Sequence, residues 1–218
     1  MASGLIGVYG ASGFGREVMP LVVRQVGSSS SDTRFVFIDD APSSETLNDY
    51  PVLTYAEFLA ADADTRQVVL AIANSAVREK LVSRCASDGV LILSISADNV
   101  VVLDQVKVGE GAILCHFVQL TSNIRIGKQF HANIYSYVAH DCVIGDYVTF
   151  APGVRCNGNI HIHDHAYIGT GAIIKQGTPD KPLVIGQGAV VGMGAVVTKD
   201  VPPGATVIGN PAKPLVRN

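Results

Sequence analysis

From Val102 onward, apolar side chains recur every sixth residue: Val102, Val108, Leu114, Leu120, Ile126, Ala132, Val138, Ile144, Phe150, Cys156, Ile162, Ile168 and Ile174. A second, looser series runs two positions ahead of it, through Val106, Val118, Ile124, Phe130, Cys142, Val148, Val154 and Ile160. Six residues suit one short strand plus a turn, and three such faces close a triangular coil of eighteen. The period therefore predicts an all-β parallel β-helix, its aliphatic ladder inside and its backbone paired with the coils above and below. A β-sandwich would show period-two alternation with irregular turn spacing instead. Glycine follows the aliphatic residue at Gly109, Gly127, Gly145 and Gly169, where a turn of permissive φ is expected. The phase breaks over residues 176–182 (QGTPDKP) and resumes at Ile185, Val191 and Val197, shifted by five residues. A Gly/Pro-rich loop inserted at one corner explains the shift.

The first ninety or so residues follow another pattern. Residues 5–9 read as a buried strand, 10–15 as a glycine turn and 16–26 as a helix; strands follow at 34–38, 67–72 and 90–93. Residues 75–88 carry amphipathic helical spacing, and residues 28–32 read as a solvated loop. Strands alternating with helices imply a small Rossmann-like α/β domain, a parallel sheet with its ligand crevice at the strand C-termini. The expected division is residues 1–96 and 97–218, the second part carrying the loop insertion near 176–182.

Composition narrows the classes. Of 218 residues, 48% are hydrophobic and 16% charged, which excludes general disorder. A net charge of −3 offers no electrostatic case for nucleic acid or an anionic membrane. No apolar run is long enough to span a bilayer, and the N-terminus lacks the features of a signal peptide. Cys85, Cys115, Cys142 and Cys156 are scattered without a CxxC pair, which fits reduced thiols and a cytoplasmic location.

Two places carry candidate chemistry. Gly10, Gly13 and Gly15, with Ser12 and Phe14, form a strand-to-helix turn whose backbone N–H groups could approach a phosphate. The spacing is GxxGxG, which favours a nucleotide over a dinucleotide. Asp39 and Asp40, ending the second strand, could accept from a ribose hydroxyl or a base N–H. In the coil, His140 lies two positions past the inward Val138, so it is expected near a turn and exposed, beside Asp141. A carboxylate can orient imidazole, and such a base suits removal of an amine proton during attack on a thioester. Cys142 falls on an inward position and reads as packing. Lys175, Lys181, Lys199 and Lys213 could meet coenzyme A phosphates.

The motifs GASGFG (10–15), IDD (38–40), AIANS (71–75), AHDCVIG (139–145) and IGNPAKPL (208–215) together resemble the sialic-acid O-acetyltransferase and bacillosamine N-acetyltransferase family of bacterial sugar acyltransferases. The resemblance covers nearly the entire chain. It implies a left-handed β-helix, acetyl-CoA as co-substrate, no metal, and a homotrimer with active sites between subunits. It also implies a nucleotide-linked amino sugar as acceptor, a 4-amino-dideoxy sugar above all, with sialic acid O-acetylation as the alternative. His140 matches the catalytic base and Asp141 its acidic neighbour. Gly10, Ser12, Gly13, Phe14, Gly15, Asp39, Asp40, Asn74 and Asn133 match the acceptor side. Thr149, Gly158, Asn159, Thr170, Gly192, Met193 and Lys213 match the coenzyme A side. Phe14 stands where some members carry His, and Thr149 replaces a His that contacts the donor in one branch.

Two other classes compete. His161, His163 and His165 alternate along one strand, as zinc ligands could, and a γ-carbonic-anhydrase-like hydratase is the metal-dependent rival. A nucleotide-binding regulator that has lost the reaction is the other, against which the intact His140–Asp141 pair stands.

Overall fold

The computed structural model describes residues 3–27 and 32–215; residues 28–31 of the expected loop lie outside the described residues. The chain divides into two compact units, Met1–Ile95 and Ser96–Asn218.

The first unit contains, in order, β1 (Gly4–Tyr9), α1 (Gly13–Val26), β2 (Thr33–Ile38), β3 (Thr46–Leu47), β4 (Tyr50–Leu53), α2 (Tyr55–Ala60), β5 (Thr65–Leu70), α3 (Ser75–Ser87) and β6 (Leu91–Ile92). The sheet order is β3-β4-β2-β1-β5-β6, parallel except for the β3–β4 hairpin. Strand pairs run outward from β1 on one side and continue through β5 on the other, which puts a topological switch point between β1 and β5. β1, β2 and β5 end in unbroken buried runs, as strands covered on both faces must. Tyr55 and Phe58 of α2 join Leu5, Ile38, Val68 and Leu70 in the core. The hairpin and α2 are absent from the expected elements. Only six residues long, α2 depends on its Thr54–Glu57 capping box, a signal easily passed over in so short a segment.

The second unit is the β-helix, and its coils wind left-handed, against the usual right-handed crossover. Each face is a sheet of two- or three-residue strands, parallel apart from the terminal strand Lys213–Pro214. One ladder runs Ile113, His131, Thr149 and Tyr167, eighteen residues apart, then steps twenty-three residues to Val190. Those five extra residues are the inserted loop. Both apolar series point inward: Leu120, Ile124, Phe130, Phe150, Ile160 and Ile174 are all fully buried. Val102 and Val108 depart from the expectation, at 50% and 37% exposed. They belong to the edge strands of their two sheets, so no preceding coil covers them.

The glycines after the aliphatic positions have another purpose than the one expected. Gly109, Gly127, Gly145 and Gly169 do not adopt positive φ. Instead, the next coil's backbone leaves no room for a side chain: a Cβ on Gly145 would lie 2.7 Å from Asp164 N. Asp164 reaches back there to accept the Asp146 N–H at 2.8 Å, and Asp146 does the same for Lys128 at 2.9 Å. Left-handed backbone falls three positions after each inward aliphatic residue, every sixth residue from Gln105 to Gly171, with φ between 54° and 71°. Asn123, Asp141 and Asn159 occupy successive coils of one such corner, where Asn and Asp tolerate the conformation best.

Candidate active site

Strands Tyr137–Val138 and Val143–Ile144 flank the corner that carries His140. The side chains of His140 and Asp141 are 53% and 46% exposed, and His140 Nδ1 lies 2.8 Å from Asp141 Oδ2. The hydrogen bond with His140 holds the Asp141 carboxyl below the usual carboxylate range, and a hydrogen bond from the Asn123 side chain adds to it. With Asp141 ionised and the imidazole neutral, Nδ1 carries the proton toward the carboxylate and Nε2 keeps the free lone pair.

One coil later, Gly158 lies against the imidazole. A Cβ there would fall 2.5 Å from His140 Nε2, so only glycine leaves the ring its place. Asn159 N donates to His140 O at 3.0 Å, and Gly177 N of the inserted loop donates to Gly158 O at 3.0 Å. The segment is therefore pinned between the coil of His140 and the loop. Asn157 locks it laterally: its Oδ1 accepts from Tyr137 Oη and its Nδ2 donates to Ile174 O, both at 2.7 Å. Cys142 is fully buried and its Sγ donates to Asn157 O at 3.1 Å, so it packs.

The other expected residues fall elsewhere on the coil. Asn133, Thr170, Gly192 and Met193 lie at or beside the corner that follows a different sheet, the one holding Ile113, Thr149 and Tyr167. Asn133 Oδ1 accepts from Ile134 N at 2.8 Å, Thr170 O accepts from Gly194 N at 2.8 Å, and Met193 is 81% exposed. Thr149 is buried on its strand, and Lys213 lies exposed in the terminal strand that pairs antiparallel with Thr206–Ile208. Next to Gly177, a cavity of about 720 Å³ is lined by Lys175, Thr178, Lys181, Thr198 and Lys199. The three further histidines do not converge. His161 sits on a strand between Val143 and Val184, His163 is exposed, and the ring of His165 stacks on Tyr147 at 5.2 Å. Among the described residues no cluster of three His, Cys, Asp or Glu side chains could hold a metal ion.

In the first unit, the glycine turn sits at the switch point. Gly10 has φ 113°, and a Cβ on it would lie 2.8 Å from Ile72 Cδ1. Gly15 packs directly on the Gly10 carbonyl. Ser12 is the N-cap of α1 and its side chain makes no capping bond; Gly13 opens the helix and Phe14 is half-buried. Asn74 caps α3, accepting from Val77 N at 3.1 Å. Asp39 accepts from Ala41 N at 3.0 Å. Asp40 is half exposed and accepts from Tyr9 Oη at 2.6 Å, Tyr55 N at 3.2 Å and Arg84 Nη1 at 3.3 Å. Burial opposes its charge, but the Tyr9 and Tyr55 hydrogen bonds and the Arg84 guanidinium outweigh it and hold the carboxyl below its ordinary value.

Sequence reasoning missed Asn123, Tyr137, Asn157 and Gly177. The eighteen-residue stride points to the first, because 141 − 18 is 123, just as 140 + 18 reaches Gly158. The other three act through contacts that no spacing encodes.

Residues 5–85 match the PglD N-terminal domain and residues 123–158 the bacterial transferase hexapeptide (six repeats). Fold and corner site together define a hexapeptide-repeat acyltransferase. The GDP-perosamine N-acetyltransferase of Escherichia coli O157:H7 is 49% identical over 215 residues, spanning 98% of this chain and 97% of the relative. WeeI from Acinetobacter baumannii AYE is 67% identical with a TM-score of 0.94, over 98% of this chain and all of that one. The acetyltransferase domain of PglB from Neisseria gonorrhoeae FA1090, solved with acetyl coenzyme A, is 27% identical with a TM-score of 0.85 over 98% and 100%. The chain belongs to the bacterial sugar acyltransferase family, acetyl-CoA-dependent sugar N-acetyltransferases that join a PglD N-terminal domain to a left-handed β-helix. Among the described residues no helix is long and apolar enough to cross a membrane.

Proposed function

We propose that this enzyme transfers the acetyl group of acetyl-CoA to the amine of a nucleotide-linked 4-amino-dideoxy sugar, with GDP-perosamine as the first acceptor to test. The observation that carries the chemistry is the His140–Asp141 pair, with Nδ1 bonded to the carboxylate and Nε2 beside Gly158. The amine nitrogen attacks the thioester carbonyl while His140 Nε2 takes its proton. The C–S bond then breaks, and the proton passes to the departing sulfur, leaving an amide and free coenzyme A. A backbone N–H near Gly158 and Asn159 stabilises the oxyanion. The 49% identical relative, named for N-acetyl transfer to GDP-perosamine, supports nitrogen as the acceptor atom.

The glycine turn and the N-terminus of α1 receive the nucleotide phosphates, and Asp39 rather than the engaged Asp40 contacts the nucleoside. Asn74, at the same crevice, and Asn133 complete the acceptor side. Coenzyme A phosphates enter the lysine-lined cavity, in reach of Lys175, Lys181 and Lys199, with Lys213 at the terminal strand.

The working form is a homotrimer. Asn133, Thr170, Gly192 and Met193 occupy one corner of the coil and His140, Gly158 and Asn159 another. Apposition of the two corners from different copies reunites the set in one groove. Four buried cysteines, none of them in a disulfide among the described residues, suit the cytoplasm, where acetyl-CoA and nucleotide sugars are made.

The test is coenzyme A release across a panel of GDP-, UDP- and dTDP-linked 4-amino sugars plus sialic acid. Turnover of a GDP-linked 4-amino sugar, reduced roughly 10²–10⁴-fold by His140→Asn, is expected. Turnover of sialic acid alone, or full activity in His140→Asn, overturns the reading.

A further inference from the structure

Gly158 N and Asn157 O belong to one planar peptide unit, and in a trans unit the N–H and C=O point in opposite directions. Asn157 O accepts from Cys142 Sγ at 3.1 Å, and Cys142 is fully buried among the inward side chains of the coil. The Gly158 N–H therefore points out of the coil, on the residue whose missing Cβ would meet the His140 imidazole. Among the described residues nothing accepts from it, whereas the neighbouring Asn159 N–H is taken by His140 O at 3.0 Å. Of the two amides beside the base, Gly158 N–H is the one available to a developing oxyanion.

The backbone leading into Gly158 is tied differently from the other coils. On this face the residue after each strand donates its backbone N–H to the next coil: Leu103 to Leu120 O, Thr121 to Val138 O, Ala139 to Cys156 O and Lys175 to Val197 O, at 2.8–3.0 Å. Asn157 holds the same place in the remaining coil, and there Ile174 O takes the Asn157 side-chain Nδ2 at 2.7 Å. The other end of that amide, Oδ1, accepts from Tyr137 Oη of the preceding coil, also at 2.7 Å. The peptide that carries the Gly158 N–H is thus aimed by a side chain bonded to the coil on either side.

We infer that Asn157 is a positioning residue for the acetyl transfer: fixed by Tyr137, it holds the Gly158 N–H on the thioester oxygen while His140 draws the amine proton. A primary amide suits the place because it must donate to a carbonyl and accept from a phenol at once. Aspartate has the same shape but sets a carboxylate against Ile174 O. The inference rests on the proposed transfer at His140, and the test separates the two.

Steady-state kinetics with acetyl-CoA and the acceptor that the panel identifies is measured for Tyr137→Phe, Asn157→Ala, Asn157→Asp, His140→Ala and the Tyr137→Phe/Asn157→Ala double variant, well below each melting temperature. Tyr137→Phe removes one hydroxyl and keeps the ring, so the fold is retained. It is expected to lower kcat roughly fivefold, the scale of one hydrogen bond. Both KM values should stay within about twofold, as for an interaction made only in the transition state. Asn157→Ala lowers kcat roughly 10²-fold, as a displacement of about 1 Å would, and Asn157→Asp lowers it at least as far. In the Asn157→Ala background, Tyr137→Phe has no additional effect, because the amide through which it acts is gone. The acid limb of the kcat profile against pH stays where the wild type has it, because the base is untouched. A merely structural pair lowers the melting temperature and leaves the kcat of the folded enzyme unchanged. An unchanged kcat, multiplicative losses in the double variant, or a shifted acid limb would each overturn the inference. Full activity in His140→Ala overturns the base assignment instead, whatever the Asn157 variants do.

Discussion

The imidazole of His140 occupies the space that a side chain on Gly158 would fill, with Nε2 2.5 Å from the position of the missing Cβ. Gly158→Ala therefore collides with a half-exposed ring rather than with backbone. The cheap response is rotation of His140 away from its station. The fold should survive with its melting temperature nearly unchanged, while kcat falls roughly 10²-fold, the cost of misplacing a catalytic group by about 1 Å.

Gly145→Ala makes the opposite separation. Its Cβ would meet Asp164 N at 2.7 Å and His163 C at 3.0 Å, both backbone of the next coil. Stacking of the coils must yield, so the expected result is a loss of roughly 1–3 kcal/mol, read by denaturant unfolding. Any effect on kcat should follow the loss of folded enzyme.

Phe130 and Phe150 meet edge to face at 5.1 Å in the coil interior, both fully buried. Phe150→Ala leaves a cavity between rigid coils that cannot close. A destabilisation of about 3–5 kcal/mol is expected, measured by chemical denaturation of the intact chain.

Asp40 gives a pH-dependent prediction. Its folded carboxyl lies below the ordinary value, so the stability it contributes is fully present above the unfolded value of about 3.9 and is lost as pH falls through the depressed folded value. Asp40→Asn should lower stability by about 1 kcal/mol at pH 7, a figure kept small by solvent screening. The difference from wild type should be the same at pH 5 and disappear in stronger acid. A difference that grows on acidification contradicts this sign.

Lys181→Ala combined with Lys199→Ala removes two of the three cations lining the cavity beside Gly177. KM for acetyl-CoA should rise roughly tenfold with kcat unchanged, the pattern of uniform binding loss. Acetyl dephospho-CoA should be less affected than acetyl-CoA, because it lacks one of the phosphates proposed to meet the lysines.

Much of this was legible in the chain itself. The six-residue period determined the coil, the inward ladders, the five-residue loop and the exposure of His140, because a side chain's direction in so regular a winding follows from its position in the repeat. The α/β unit was legible as to strands and long helices, since these bury continuous or amphipathic runs. What the tertiary structure alone decided was contact between coils. Glycine after the aliphatic residue relieves crowding from the next coil rather than supplying positive φ, and that crowding comes from residues eighteen positions away. Asp40 accepts from Tyr9, Tyr55 and Arg84, three partners brought to it by separate elements. Gly158 reaches His140 only once the winding has stacked their coils. Local sequence sets where a side chain points; what it meets there depends on which distant segment the fold lays against it.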